Sequence, residues 1–197
     1  ATQAAQANGT DVYDELNKLA EEVPIGSDGL ILLDHFQGNR SPYVDPHSRG
    51  VFAGLTLGKT EGHLYRSIIE GICFGTENIF RLMRQYGFAP EEIVVSGGPV
   101  KSSLWMQMHA DVCNLPLTIT DVTEGPILGS AMIAAVGAGI YDSLPQAADE
   151  MVRVVRTIEP SQSAHDEYRF YLQKYIDSYP VMKGLLHDIA LHEEQKA

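Results

Sequence analysis

The chain has 197 residues and a formal charge of −12 at pH 7, enough for one domain with a sizeable core or two small ones. With 14 Lys and Arg against 26 Asp and Glu and no basic run, it excludes a nucleic-acid partner, since that binding rests on cations neutralising phosphates. Its longest apolar stretches, such as 126–140, are broken by glycines and too short to span a bilayer, and no signal-peptide pattern opens the chain; the sequence therefore implies a cytoplasmic protein with no membrane partner. A small anionic ligand stays open, because backbone dipoles and a divalent metal hold one locally.

The opening "ATQAAQANGT" has no initiator Met and no strand and reads as a cut within a larger protein. Residues 10–23 place Val12, Leu16, Leu19 and Val23 at helical spacing behind a Thr10 or Asp11 cap, and "PIGSDG" stops that helix. "LILLD" reads as a strand. "HFQGNRSPYVDPHSRG", residues 35–50, has prolines, glycines and charges but no period; a loop this long in a compact domain is functional or well pinned. Arg40, Asp45 and Arg49 are expected to pin it by pairing with one another, while Asp34, His35 and Tyr43 are the groups best able to reach outward.

"GVFAGLTLG" reads as an extended segment. "TEGHLYRSIIEGICFGTENIFRLMRQYG" reads as one long helix with an apolar stripe of Leu64, Ile68, Ile72, Ile79 and Met83. Gly71 and Gly75, four residues apart within it, form a smooth strip for close packing at about 1 kcal/mol each relative to Ala. His63 and His109 lack a Cys, Asp or Glu partner at ligand spacing, and Cys73 and Cys113 fall in apolar helical segments. Neither pair points to a metal site or a disulfide framework.

The order then runs strand "EEIVVSGG", helix "SSLWMQMHADVC", strand "LPLTIT", helix "GPILGSAMIAAVGAG", a short helix near 145–151, strand "VRVVRTIEP", a tail helix broken near Pro180, and a frayed acidic end "LHEEQKA". Trp105, Met106 and Met108 are expected in the core, with Trp105 or Met106 a candidate wall for an aromatic base. Strands alternating with helices predict an α/β fold with a sheet covered by helices.

Two constellations carry chemistry. Gly97 and Gly98 end a strand, and Ser102 and Ser103 open the next helix, so the pair serves either as a tight turn or as a place where a phosphate or ribose meets free N–H groups. The run is neither a Walker loop nor G-x-G-x-x-G, and Lys101 beside it is either solvated or in reach of a phosphate. Farther on, Gly125, Gly129, Gly137 and Gly139 surround an Ala-rich helix suited to close helix-to-sheet contact, with Glu124 and Gly125 placed to line a cleft.

Residues 50–70, "GVFAGLTLGKTEGHLYRSIIE", resemble the second signature of the FGGY carbohydrate kinases: Gly50, Phe52, Gly54 and Leu55, then His63, Leu64, Ser67, Ile68, Ile69 and Glu70. "GNRSPYVDPHSRG" is similar to that family's loop just upstream, "SGGPVKSSLWMQMHADV" to its adenosine-binding segment, and "EGPILGSAMIAAVGAG" to its following helix. Ser96 and Ser102 depart from the residues many members carry there. The resemblance implies a ribonuclease H-like fold of the actin, hexokinase and heat-shock ATPase superfamily, with a mixed sheet flanked by helices. Residues 1–197 would be the carboxyl-terminal, nucleotide-side domain, and the amino-terminal domain with most of the sugar contacts and the aspartate general base would lie outside this chain.

On that view the partners are ATP or ADP with magnesium (Mg2+), and a sugar or polyol, with a pentulose or pentitol favoured by "FQGNRSP". Gly97, Gly98, Ser102 and Lys101 would sit at the nucleotide, Gly54, Thr56, Gly58, Glu124 and Gly125 at the cleft and hinge, and residues 36–45 would face the cleft. No catalytic residue and no metal ligand is assigned within the chain, which is expected to be inactive alone; a homodimer stays open. The rival readings are a noncatalytic nucleotide-binding regulatory module of the same superfamily and an interaction domain with no ligand.

Overall fold

The computed structural model describes residues 1–122 and 124–196. A short helix α1 (Thr2–Asn8), which has no apolar period to announce it, ends at Gly9 with φ 65°. Helix α2 (Val12–Glu21) follows, with the Asp11 side chain accepting from the Tyr13 N–H. Strands β1 (Ile31–Leu33) and β2 (Val51–Ala53) form an antiparallel pair with Leu32 opposite Phe52. Between them lies the predicted loop, and after them the long helix α3 (Glu61–Gln85).

The second half contains β3 (Ile93–Val95), α4 (Ser103–Cys113), β4 (Leu117–Thr120), α5 (Gly125–Gly137), α6 (Leu144–Met151), β5 (Val154–Ile158) and α7 (Gln162–Glu194). Strand β4 is central and wholly buried, parallel to β3 and antiparallel to β5, so the sheet is mixed. Met106 and Ala110 of α4 cover it through Leu117 and Ile119. A larger core joins Leu33, Ile69, Phe74, Met108, Tyr168 and Tyr175. Cys73 and Cys113 are buried free thiols, and among the described residues no helix is long and apolar enough to cross a membrane.

Four expectations are corrected. The α3 stripe of Leu64, Ile68, Ile72, Ile79 and Met83 is not the buried face: Leu64 is 37% exposed, and the buried positions include Arg66, Ser67, Ile69, Glu70, Cys73, Phe74 and Glu77. Packed against α2, α4 and α7, the helix buries polar groups because each finds a partner there. Helix α7 runs unbroken through Pro180 to Glu194. Pro180 is exposed, so the carbonyl its ring leaves unpaired can turn to water, while buried Tyr175, Tyr179 and Leu186 hold the turns on either side. That helix also continues into the end expected to fray, as far as Glu194, while residue 197 of that end lies outside the described residues. Helix α5 buries no residue, and a methyl group on Gly129 would meet nothing within 4 Å, so the close sheet contact expected of it is not made.

The glycine strip is as expected. A methyl group on Gly71 would fall 2.8 Å from the Leu32 carbonyl oxygen, and one on Gly75 3.1 Å from Asp34 and 3.2 Å from the Tyr175 hydroxyl. The first distance is too short for a side chain and the other two are tight, so the absence of Cβ lets α3 lie close on β1 and α7.

Candidate functional site

Because β3 and β4 are parallel, their carboxyl ends open on the same side, where ligands of α/β sheets commonly bind. The chain leaves β3 through Ser96 into Gly97, whose φ of 92° and ψ of −163° suit only glycine. Gly98–Lys101 makes a single 3-10 turn with Pro99 near its start. A methyl group on Gly98 would meet nothing within 4 Å, so the space above this turn is open. After β4, the chain enters α5 at Glu124 and Gly125, and a methyl group on Gly125 would fall 2.6 Å from Ser96 Oγ. The two glycine-bearing turns, 27 residues apart at their nearest, thus converge at one sheet end.

Ser102 is 8% exposed and already engaged. Its hydroxyl accepts from the Trp105 N–H at 3.2 Å, capping α4, and donates to Asn17 Oδ1 at 2.9 Å. This ties the turn to α2. Between α2 and the start of α4 lies a cavity of about 320 Å³ lined by Asn17, Lys18, Lys101, Ser103 and Leu104 among others. Lys101 is exposed and faces it. Met106, at 1% exposure, cannot wall a ligand; Trp105 is partly buried against both cores.

The other predicted cleft residues stand apart. Gly54 has φ 93°, and a methyl group there would fall 2.3 Å from the Gly29 carbonyl oxygen. Lys59 Nζ donates to the Ser27 and Asp28 carbonyls at 3.2 and 2.6 Å, tethering the turn that carries Thr56 and Gly58. Thr56 and Gly58 themselves are exposed. Among the described residues, no backbone hydrogen bond joins this turn to the glycine pair.

In the loop, Asp34, His35 and Tyr43 turn inward, not outward. Asp34 accepts from the Tyr175 hydroxyl at 2.6 Å. His35 is 2% exposed, between Ser48 Oγ on Nδ1 and Asn39 Nδ2 on Nε2; because Asn39 Nδ2 can only donate, Nε2 accepts and Nδ1 carries the proton. Burial lowers the pKa of this ring, although Asp34 and Asp45 pull the other way. Tyr43 stacks on Tyr179 with ring centroids 4.0 Å apart.

Nor do Arg40, Asp45 and Arg49 pair with one another. Arg49 donates to the Pro46 and Ser48 carbonyls, and Asp45 bonds instead to Tyr179 and His187 of α7. No local signal in the sequence links a loop aspartate to residues 134 and 142 positions away.

His63 and His109 do have partners, through the fold and not through spacing. His63 Nε2 lies 3.0 Å from Asp28 Oδ2. His109 has Cys73 Sγ at 3.3 Å and Thr76 Oγ1 at 3.2 Å. Burial pushes the His109 imidazole down to about 4, against a pull from the Trp105 backbone. Between about pH 6.5 and 4 the unfolded chain therefore binds more protons than the folded one, and stability falls as pH falls through that window. The loss expected is about 3 kcal/mol. Urea midpoints measured from pH 7 to 4 check it: His109→Gln should flatten the slope, and a slope equal to wild type would rule this origin out.

Residues 1–138 match the model of the FGGY family of carbohydrate kinases, C-terminal domain. The chain is 41% identical over 147 residues to a ribulokinase of Mycolicibacterium smegmatis, covering 75% of this chain and 26% of that protein. It is 31% identical over 177 residues to a xylulose kinase of Staphylococcus epidermidis, covering 90% of this chain and 36% of that one. The crystal structure of xylulose kinase from Rhodospirillum rubrum superposes with a TM-score of 0.78 at 29% identity, over 89% of this chain and 35% of that chain. The chain belongs to the FGGY family of carbohydrate kinases, as its C-terminal domain, with the actin-like fold of that family. It spans about a quarter to a third of the length of the curated relatives it matches.

Proposed function

We propose that this chain is the nucleotide-side domain of a kinase that transfers the γ-phosphate of ATP to a hydroxyl of a sugar or polyol, with a pentulose or pentitol as the acceptor. The reading rests on family membership and is carried by one observation: the approach of Gly125 to Ser96, which brings the two glycine turns together at the carboxyl ends of β3 and β4. The nucleotide fits this place. Gly97 and Gly98 leave its approach free of side chains, and Lys101 supplies a cation beside it. Phosphoryl transfer depends chiefly on positioning and electrostatics, so one domain can hold the nucleotide while another supplies the acceptor and base.

The described residues hold no group of three or more His, Cys, Asp or Glu able to bind a metal ion. Magnesium would be held largely through the nucleotide's phosphates, as is usual for this ion. In the same reading residues 1–197 act as one domain of a longer cytoplasmic enzyme, with Gly54, Thr56 and Gly58 on the side that meets the rest of it. Gly98→Val tests the nucleotide assignment. Its branched side chain has room in the free protein but would occupy the ligand's space, so ADP affinity measured by calorimetry should fall at least about tenfold, or 1.4 kcal/mol, with an unaltered circular-dichroism melt. Wild-type ADP affinity in the folded variant would overturn it.

A further inference from the structure

The loop 35–50 is shaped by a helix outside the family match. Residues 1–138 carry that match, whereas α7 spans Gln162–Glu194. Asp45 joins the two. Its carboxylate is 5% exposed and fully bonded: Oδ1 accepts from the His47 and Ser48 N–H groups at 3.0 and 3.2 Å, and Oδ2 accepts from the Tyr179 hydroxyl at 2.8 Å and His187 Nε2 at 2.6 Å. Burial pushes this carboxyl up, but the bonds from His187, Tyr179 and the His47 N–H outweigh it and hold it at about 2.

From Asp45 the constraint spreads through the loop. The Asn39 and Asp45 backbones exchange two hydrogen bonds of 2.8 and 2.7 Å, closing a ring around residues 40–44. Tyr43, stacked on Tyr179, also accepts from Asn78 Nδ2 at 3.1 Å, so the ring is seated on α3 and α7 together. Val44 at its tip has φ 51° and is 78% exposed. A β-branched residue in the left-handed region is strained, and such strain persists only where the surroundings over-determine it. The exposed remainder of the ring, Arg40, Ser41 and Val44, is therefore a tip held in one shape, two polar side chains beside an apolar one.

We propose that Tyr179 and His187 are positioning residues for this tip: acting through Asp45, they hold residues 40–44 in the shape that receives the sugar or polyol. For what the tip receives, the inference rests on the kinase reading together with the expectation that residues 36–45 face the cleft; for the clamp, it rests on the geometry alone. Neither residue touches the acceptor. Their effect should fall on acceptor binding and leave the nucleotide end alone, because misplacing a positioning element weakens the interactions it organises.

The experiment uses the full-length kinase with His187→Ala, His187→Gln and Tyr179→Phe. His187→Ala is expected to raise the KM for the pentulose or polyol about tenfold while ADP affinity stays unchanged, and His187→Gln, whose amide can still donate to Asp45, should restore most of the loss. Amide hydrogen exchange at Asn39 and Asp45 should speed up in His187→Ala, with the β4 amides unaffected. Unchanged exchange would overturn the clamp whatever the enzyme's substrate. Faster exchange with an unchanged acceptor KM would overturn the positioning role, as would acceptor KM, ADP affinity and melting temperature all worsening together. A wild-type enzyme without sugar-dependent ADP release would sink the kinase reading instead, and exchange would still decide the clamp.

Discussion

Glu70→Ala is expected to destabilise the chain by about 3–5 kcal/mol, the range for breaking a buried ion pair from one side. Glu70 is 1% exposed and Arg66 6%. Glu70 Oε1 accepts from Arg66 Nε at 3.0 Å and the Gly26 N–H at 2.9 Å, and Oε2 accepts from Ser27 Oγ at 2.8 Å. Arg66 also donates to the Ala20 carbonyl and to the Tyr168 hydroxyl, each at 3.1 Å. One pair thus ties α2, α3, α7 and the 26–29 turn.

Burial pushes the Glu70 carboxyl up, and Arg66, Ser27 and the Gly26 N–H pull it back only in part. Removing the carboxylate leaves a guanidinium, an amide and a hydroxyl without their acceptor in a place water cannot easily reach. The turn also cannot shift to compensate, since a methyl group on Gly26 would already fall 2.0 Å from the Tyr171 ring. The double variant Arg66→Leu, Glu70→Leu removes both charges and should recover much of the loss, because desolvation no longer opposes it. Urea unfolding of the three proteins decides: a Glu70→Ala midpoint near wild type would mean the pair contributes little.

This pair marks the boundary of what the sequence discloses. Local signals were legible: Asp11, one of the two caps offered for α2, the start of α4 at Ser102 and Ser103, and the spacing of Gly71 and Gly75 each read from residues close in sequence, although the atoms that the two glycines face lie far along the chain. The resemblance found the glycine turns as well, although only the fold brings Gly125 to Ser96. The buried face of α3 was not legible, because periodicity counts apolar residues, and here Arg66, Glu70 and Glu77 go inside. Arg66 and Glu70 find distant partners at Gly26, Ser27 and Tyr168, whereas Glu77 is met by Arg84 of the same helix. The inward turn of Asp34, His35 and Tyr43 was hidden for the same reason, since Tyr175 and Tyr179 arrive from the far end of the chain. Long-range polar pairing leaves no period.

By itself the 197-residue chain is expected to bind adenine nucleotide weakly and to phosphorylate no sugar. Transfer needs a base at the acceptor hydroxyl and closure around both substrates to exclude water and align them, and the family resemblance assigns the base to no residue of this chain. Several large apolar side chains are exposed on the isolated chain. Helix α5 buries nothing, Ile127 and Ile133 are 68% and 65% exposed, and Val154 and Val155 of β5 are 63% and 61% exposed. Exposed apolar side chains of this size favour association, so the chain alone is expected to self-associate at high concentration. Fusion to the upstream part of an FGGY kinase polypeptide should restore ATP-dependent phosphorylation of a pentulose or polyol and suppress that association. A coupled ADP-release assay over a sugar panel, with light scattering on the same samples, reads both effects. Sugar-dependent turnover by the isolated chain at the rate of the fused protein would defeat the divided-enzyme reading, because the base would then have to stand among residues that the resemblance assigns to nucleotide and hinge.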